Sequence, residues 1–209
     1  MVRAMTRAAH RRIPPDVRRR ELMAACARCL ADQGAAGVSV RGICTEAGVS
    51  PGLLTHYFDG VSHLIAETYR DVGAQVAATL DEAVEAAGDD PRARLRAYVI
   101  ASFRPPVMDA ALLATWVAFW SLVKTDDRLQ IAHRETYALY RDDLERLIRA
   151  CPVGGTADIR LMAVGLTALV DGLWLELCLD GAAFSAMEAS DVAERWLDDL
   201  LARPLCRLA

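Results

Sequence analysis

The sequence predicts an all-α protein of nine helices. Three observations carry this. The chain is 54% hydrophobic but only 6% aromatic, with Ala and Leu dominant, a balance that favours helices over sheets. No stretch sustains the period-two alternation of a half-buried strand. Gly and Pro clusters cut the 209 residues into segments of helical length.

Pro14-Pro15-Asp16 opens the first helix, with an acid at its positive end. Leu22, Cys26, Cys29 and Leu30 form its apolar face, and it runs to about Gln33 and stops at Gly34. Two short helices around a tight turn follow within Ser39–Phe58. Val40, Ile43, Cys44 and Ala47 share one face of the first of them. Gly48 supplies the positive-φ residue that ends it. Val49 plugs the turn, Ser50 is the N-cap and Pro51 takes the first helical position. Leu53 or Leu54, with Phe58, faces the core. The polar groups of Thr55, His56 and Tyr57 project outward. This is helix-turn-helix geometry, in which the second helix enters a DNA major groove.

A turn at Phe58-Asp59-Gly60 leads into a long helix ending near Ala87. Gly88-Asp89-Asp90-Pro91 breaks the chain there. The fifth helix is expected from Pro91 to Phe103, before Pro105-Pro106. The sixth spans about Met108–Lys124 and the seventh about Asp126–Arg149. After Pro152-Val153-Gly154-Gly155, the eighth runs from near Thr156 to Asp180-Gly181. The ninth covers Ala189–Ala202, ahead of Pro204.

The net charge of −4 is unevenly spread. Residues 1–62 hold nine Arg and five acids, net +4, against fifteen basic and twenty-three acidic groups in the rest, net −8. Positive charge thus gathers where phosphate contacts need it. Arg3, Arg7, Arg11, Arg12, Arg18, Arg19 and Arg20 form a basic arm, which either tracks DNA or is simply solvated.

Other chemistry finds little support. Cys26 and Cys29 form a C-x-x-C, but on a helical face and without a second pair at zinc spacing, so no metal is expected. The histidines, His10, His56, His63 and His133, accompany no nucleophile signature, and there is no phosphate-cradling glycine loop. Neither enzyme activity nor a cofactor is expected. No apolar run reaches the roughly 18 residues of a membrane span without charge or Gly, and no signal-peptide core is present. A cytoplasmic protein is the expectation.

The eighth helix is apolar on nearly every face from Ile159 to Leu179. A helix apolar all round is buried all round, and a second subunit is the simplest cover. Gly165 and Gly172 allow close approach, with Leu169 on the same helix and Val192, Trp196 and Leu200 on the ninth.

Gly48-Val49-Ser50-Pro51-Gly52 followed by His56-Tyr57-Phe58 resembles the recognition segment of the tetracycline-repressor (TetR) family. The resemblance implies a DNA-binding unit at residues 1–62 and a helical effector-binding and dimerisation unit at 63–209. It implies DNA contacts from Arg41, Ser50, Pro51, Gly52, Leu53, Thr55, His56 and Tyr57. It also implies that the last two helices form a four-helix dimer interface, so that two recognition helices read a palindrome in double-stranded DNA. Val61 departs from the Lys that many members use to grip a phosphate; Ser62 or His63 is left to replace it.

Trp116-Val117-Ala118-Phe119-Trp120 and Asp171-Gly172-Leu173-Trp174 are further similar to the choline-responsive BetI-type repressors. Trp116, Phe119 and Trp120 share a helical face, and Asp171 lies on the same side as Trp174. Aromatic faces with a carboxylate suit a quaternary ammonium; Tyr137 and Tyr140 are additional lining candidates. The same stripe also reads as ordinary core, with Asp171 paired to Arg160 or Arg141. The expected function is a dimeric repressor released from DNA by a small molecule. A neutral hydrophobic effector is the first alternative, and a helical carrier without DNA activity the second.

Overall fold

A computed structural model describes residues 14–152 and 158–202. Among these, nine helices and no strand are present: α1 (Pro15–Gly37), α2 (Val40–Ala47), α3 (Pro51–Tyr57), α4 (Gly60–Ala86), α5 (Pro91–Ala101), α6 (Ala110–Leu122), α7 (Asp127–Ala150), α8 (Ile159–Leu179) and α9 (Ala186–Ala202). Arg3, Arg7, Arg11 and Arg12 of the basic arm lie outside the described residues, as do Val153, Gly154, Gly155, Thr156 and Pro204.

Side-chain caps set most helix starts. Asp90, Asp109, Asp126 and Asp158 accept the backbone N–H of Ala93, Leu112, Leu129 and Leu161. Each satisfies one of the N–H groups a helix start leaves free. These caps move α6 and α8 inward of their expected starts at Met108 and Thr156. The ninth helix starts three residues earlier than expected, at Ala186. Ser185 and Glu188 make reciprocal bonds there: the Ser185 N–H donates to Glu188 at 2.8 Å, and the Glu188 N–H to the Ser185 hydroxyl at 3.2 Å. That capping box was present in the sequence as S-x-x-E and set the boundary. The first helix does turn at Gly34, where φ is +65°, but a further turn follows to Gly37.

Leu22, Cys26, Cys29 and Leu30 are buried, so the predicted face of α1 is its packing face. It rests on α6, α2 and α4. Burial pushes the Cys26 thiol up to about 12, so it stays a protonated core group. Thr115 on α6 reaches the Ala27 carbonyl at 3.4 Å. On the far side, α4 lies against α7, closely enough that a Cβ on Gly73 would come within 2.6 Å of Thr136 Cγ2. The Trp174 indole N–H donates to the Ser102 carbonyl at 2.9 Å and ties α8 to the end of α5. The helices that follow α3 thus surround the space between α4, α6, α7 and α8.

Candidate nucleic-acid interface and ligand cavity

The turn between α2 and α3 is built as its residues require. Ser39 accepts the Gly42 N–H at 3.1 Å and caps α2. Gly48 is left-handed, at φ 64° and ψ 36°, and the Val49 N–H closes the end onto the Cys44 carbonyl at 2.9 Å. Ile43, Cys44, Leu54 and Phe58 are buried. Of the two leucines, Leu54 is the core residue, while Leu53 is only half-buried. Ser50 occupies the N-cap position of α3 but its side chain makes no capping bond. Ser50, Pro51, Gly52, Thr55 and His56 are exposed, as is Arg41 at the start of α2.

Several side chains are more committed than expected. The Thr55 hydroxyl donates back to the Gly52 carbonyl at 3.2 Å. Tyr57 is half-buried and packs edge-on with His56, ring centroids 4.9 Å apart. His63 Nδ1 accepts the Asp59 N–H at 3.0 Å, and its ring packs on Phe58; only Nε2 is left to replace the missing Lys contact. Of the basic arm, Arg19 is turned inward. It donates to the Tyr57 carbonyl at 2.8 Å, pairs with Glu67 at 3.0 Å and lies 4.5 Å over the Phe58 ring. Arg18 pairs with Glu21 at 2.6 Å. Nothing in the local sequence distinguishes Arg19 from its neighbours, because its partners are 38 and 48 residues away.

A cavity of about 280 Å³ lies among α4, α6, α7 and α8. Trp116, Trp120, Tyr137, Tyr140, Asp171 and Trp174 all line it. Phe119 does not: it is fully buried and packs on Tyr69 and Trp116. Helical spacing placed it beside the two tryptophans, but the third position of that face turns into the core. Trp116 and Trp174 are themselves 6% exposed, so Trp120 and Tyr137 are the more accessible walls.

Burial raises Asp171 from the ordinary carboxylate range to about 6, against the lowering effects of Tyr137 and Arg141. Neither expected ion pair forms. Among the described residues no Arg or Lys nitrogen lies within 4.0 Å of its carboxylate. Arg141 instead sits 5.9 Å over the Tyr137 ring, and Arg160 is exposed. The sequence did not reveal three further charged groups at this cavity, Arg70, Glu135 and Asp143. Arg70 and Glu135 pair at 2.8 Å across 65 residues of chain. Nearby, Tyr69 Oη and His133 Nδ1 are 2.8 Å apart, and burial lowers the His133 pKa, favouring neutral imidazole.

α8 is buried on one side only. Leu161, Val164, Ala168, Gly172, Leu175 and Leu179 are exposed at three- and four-residue steps, a single apolar stripe. By length and composition alone this helix can cross a membrane, with mean hydropathy 1.7; here Met162, Leu166, Val170 and Trp174 pack it into the bundle. Val192 is 44% exposed and continues the apolar surface onto α9, while Leu169, Trp196 and Leu200 are half-buried. Gly165 departs from expectation. A Cβ there would meet the Trp196 ring of the same chain at 3.0 Å, so its missing side chain serves packing inside the subunit. Gly172 has open space before it.

Comparison with known proteins places this arrangement in a family. Residues 91–202 match the BetI-type transcriptional repressor C-terminal family, and residues 22–68 match the TetR family of bacterial regulatory proteins. The HTH-type transcriptional regulator BetI of Burkholderia thailandensis is 35% identical over 90% of this chain and 95% of its own. A putative transcriptional regulator from Pseudomonas aeruginosa PAO1 superposes with a TM-score of 0.83 at 37% identity, covering 93% of this chain and 95% of that one. A putative transcriptional regulator from Saccharomonospora viridis, solved in complex with choline, shares the fold at a TM-score of 0.74 and 20% identity, over 88% and 96% of the two chains. The chain belongs to the BetI-type transcriptional repressors of the TetR family.

Proposed function

We propose that this repressor binds a palindromic operator as a homodimer and is released by a quaternary ammonium compound of the choline type. Residues 1–62 make the DNA contacts, and residues 63–209 hold the effector and the second subunit. Its role is regulatory rather than catalytic, and its place is the cytoplasm. The observation that carries the effector reading is the cavity itself. It gathers three tryptophans, two tyrosines and a carboxylate, Asp171, that has no basic partner within ion-pair distance among the described residues. A quaternary ammonium group has no N–H to donate in a hydrogen bond and is held by aromatic faces and a nearby negative charge. The choline complex of the Saccharomonospora viridis regulator agrees with this reading.

Binding in the sensor bundle acts on DNA only if the effector prefers one arrangement of the recognition helices. Thermal shift tests the ligand class, because binding to the folded state alone raises its stability. Choline and betaine aldehyde are expected to raise the melting temperature and to release DNA. 3,3-Dimethylbutan-1-ol, the uncharged shape analogue of choline, is expected to do neither. A response to the alcohol equal to that of choline assigns the protein a neutral hydrophobic effector instead.

A further inference from the structure

We propose that Arg19 positions the recognition helix α3, and that the ion-pair chain Glu135–Arg70–Glu67–Arg19 makes this positioning depend on the effector cavity. Tyr57 is the last residue of α3, and a helix end leaves its carbonyls without intrahelical partners. Arg19 Nη1 supplies the missing donor at 2.8 Å from the Tyr57 oxygen. The same guanidinium covers the Phe58 ring, which fixes the residue after the helix. Arg19 therefore holds the C-terminal end of α3 against α1.

The other end of Arg19 is held by α4. Its Nη2 donates to Glu67 Oε2 at 3.0 Å, and Glu67 Oε1 accepts Arg70 Nη1 at 3.0 Å. Arg70 then presents Nε and Nη2 to Glu135 Oε2 at 3.0 and 2.8 Å. Arg70 and Glu135 line the cavity; Glu67 and Arg19 do not. Four charges of alternating sign thus run from the cavity to the recognition helix through α7, α4 and α1. Isolated exposed ion pairs contribute little, but here each interior member bonds on both sides, so moving one changes the bonds of the next.

The link to the effector rests on the cation reading above. A cation in the cavity attracts Glu135 and repels Arg70. Arg70, freed from Glu135, draws on Glu67, which is the group that orients Arg19. The end of α3 then loses a fixed donor. Coupling between the cavity and α3 is measured directly, by reading the same site in variants along the chain.

The experiment is amide exchange on the full chain free of DNA, read at residues 54–58, where the Phe58 N–H bonds to the Leu54 carbonyl at 2.9 Å. Glu67→Gln and Glu135→Gln are each expected to speed that exchange roughly two- to fivefold. The double variant is expected to do no more than either one, since both act through one chain. Arg19→Lys, which keeps charge but loses the forked geometry, is expected to speed exchange as much. Glu145→Gln is the control, because among the described residues Glu145 pairs with Arg149 on its own helix, α7, and not with the relay. Choline chloride is expected to speed exchange at the same residues in the unmodified chain and to add nothing to Glu67→Gln. If Glu135→Gln matches the control, the relay is overturned; if Arg19→Lys also matches it, so is the anchoring role of Arg19. If choline does not bind, the cation reading falls, and the Gln variants alone decide the relay.

Discussion

Gly165 on α8 faces the Trp196 indole on α9 at close range: a Cβ would stand 3.0 Å from Cη2, tighter than ordinary van der Waals contact. The contact seats α9 against the same helix that carries Asp171 and Trp174. Gly165→Leu is expected to force the two helices apart and to cost roughly 1–3 kcal/mol of subunit stability. Thermal unfolding of the variant checks this, and an unchanged melting temperature contradicts the contact.

Gly172, seven residues on, is expected to behave differently. It faces open space within the chain. Gly172→Leu is therefore expected to leave subunit packing intact while disrupting the proposed dimer, whose close helix approach it would fill. Sedimentation at micromolar concentration is expected to find a dimer for the unmodified protein and dissociation in this variant. A monomer for the unmodified chain removes the α8–α9 interface.

DNA binding is expected to depend on the exposed surface of α3. His56→Ala is expected to weaken operator binding by about 1–3 kcal/mol per half-site. Tyr57 is half-buried, so Tyr57→Phe, which removes the hydroxyl and keeps the packing, is the cleaner companion. Affinity is measured on a duplex selected by the unmodified protein from a random pool. It is expected to fall steeply with added salt, since arginine–phosphate contacts release counterions. Unchanged affinity in both variants means that α3 does not dock through these residues.

Much of this molecule was legible in the sequence, for reasons that differ by feature. Gly48, Ser50-Pro51 and the apolar spacing of Val40, Ile43 and Cys44 are local signals, and local signals place local elements. The α9 boundary was missed although Ser185 and Glu188 announced it. The cavity aromatics were legible because helical period brings i, i+4 positions together. That same period misplaced Phe119, since periodicity gives a face but not the depth to which neighbours cover it. Arg19, Glu67, Arg70 and Glu135 were illegible. Their pairings join α1, α4 and α7, and no local pattern encodes which of many surface arginines meets which acid.

The last prediction concerns Asp171, whose carboxyl burial raises from 3.8 to about 6. The folded protein therefore holds this proton more tightly than the unfolded chain does. Its contribution to stability is full below pH 3.8 and declines as the pH rises to about 6. Above that, the ionised group costs the ligand-free protein roughly 2–3 kcal/mol at most. Asp171→Asn removes the charge with little change of shape. It is expected to raise the melting temperature of the ligand-free protein at pH 7.5 and to have little effect at pH 4. Binding of a cation is expected to show the opposite dependence. Choline affinity rises with pH through about 6 in the unmodified protein, as the carboxylate forms. In Asp171→Asn it is weaker and flat across that range. Trp120→Ala is expected to weaken choline by about 0.5–2 kcal/mol at every pH, because a ring face does not titrate. Calorimetric titration at pH 5 and pH 7.5 separates the two contributions. A choline affinity that is independent of pH in the unmodified protein removes Asp171 as the charge that holds the cation.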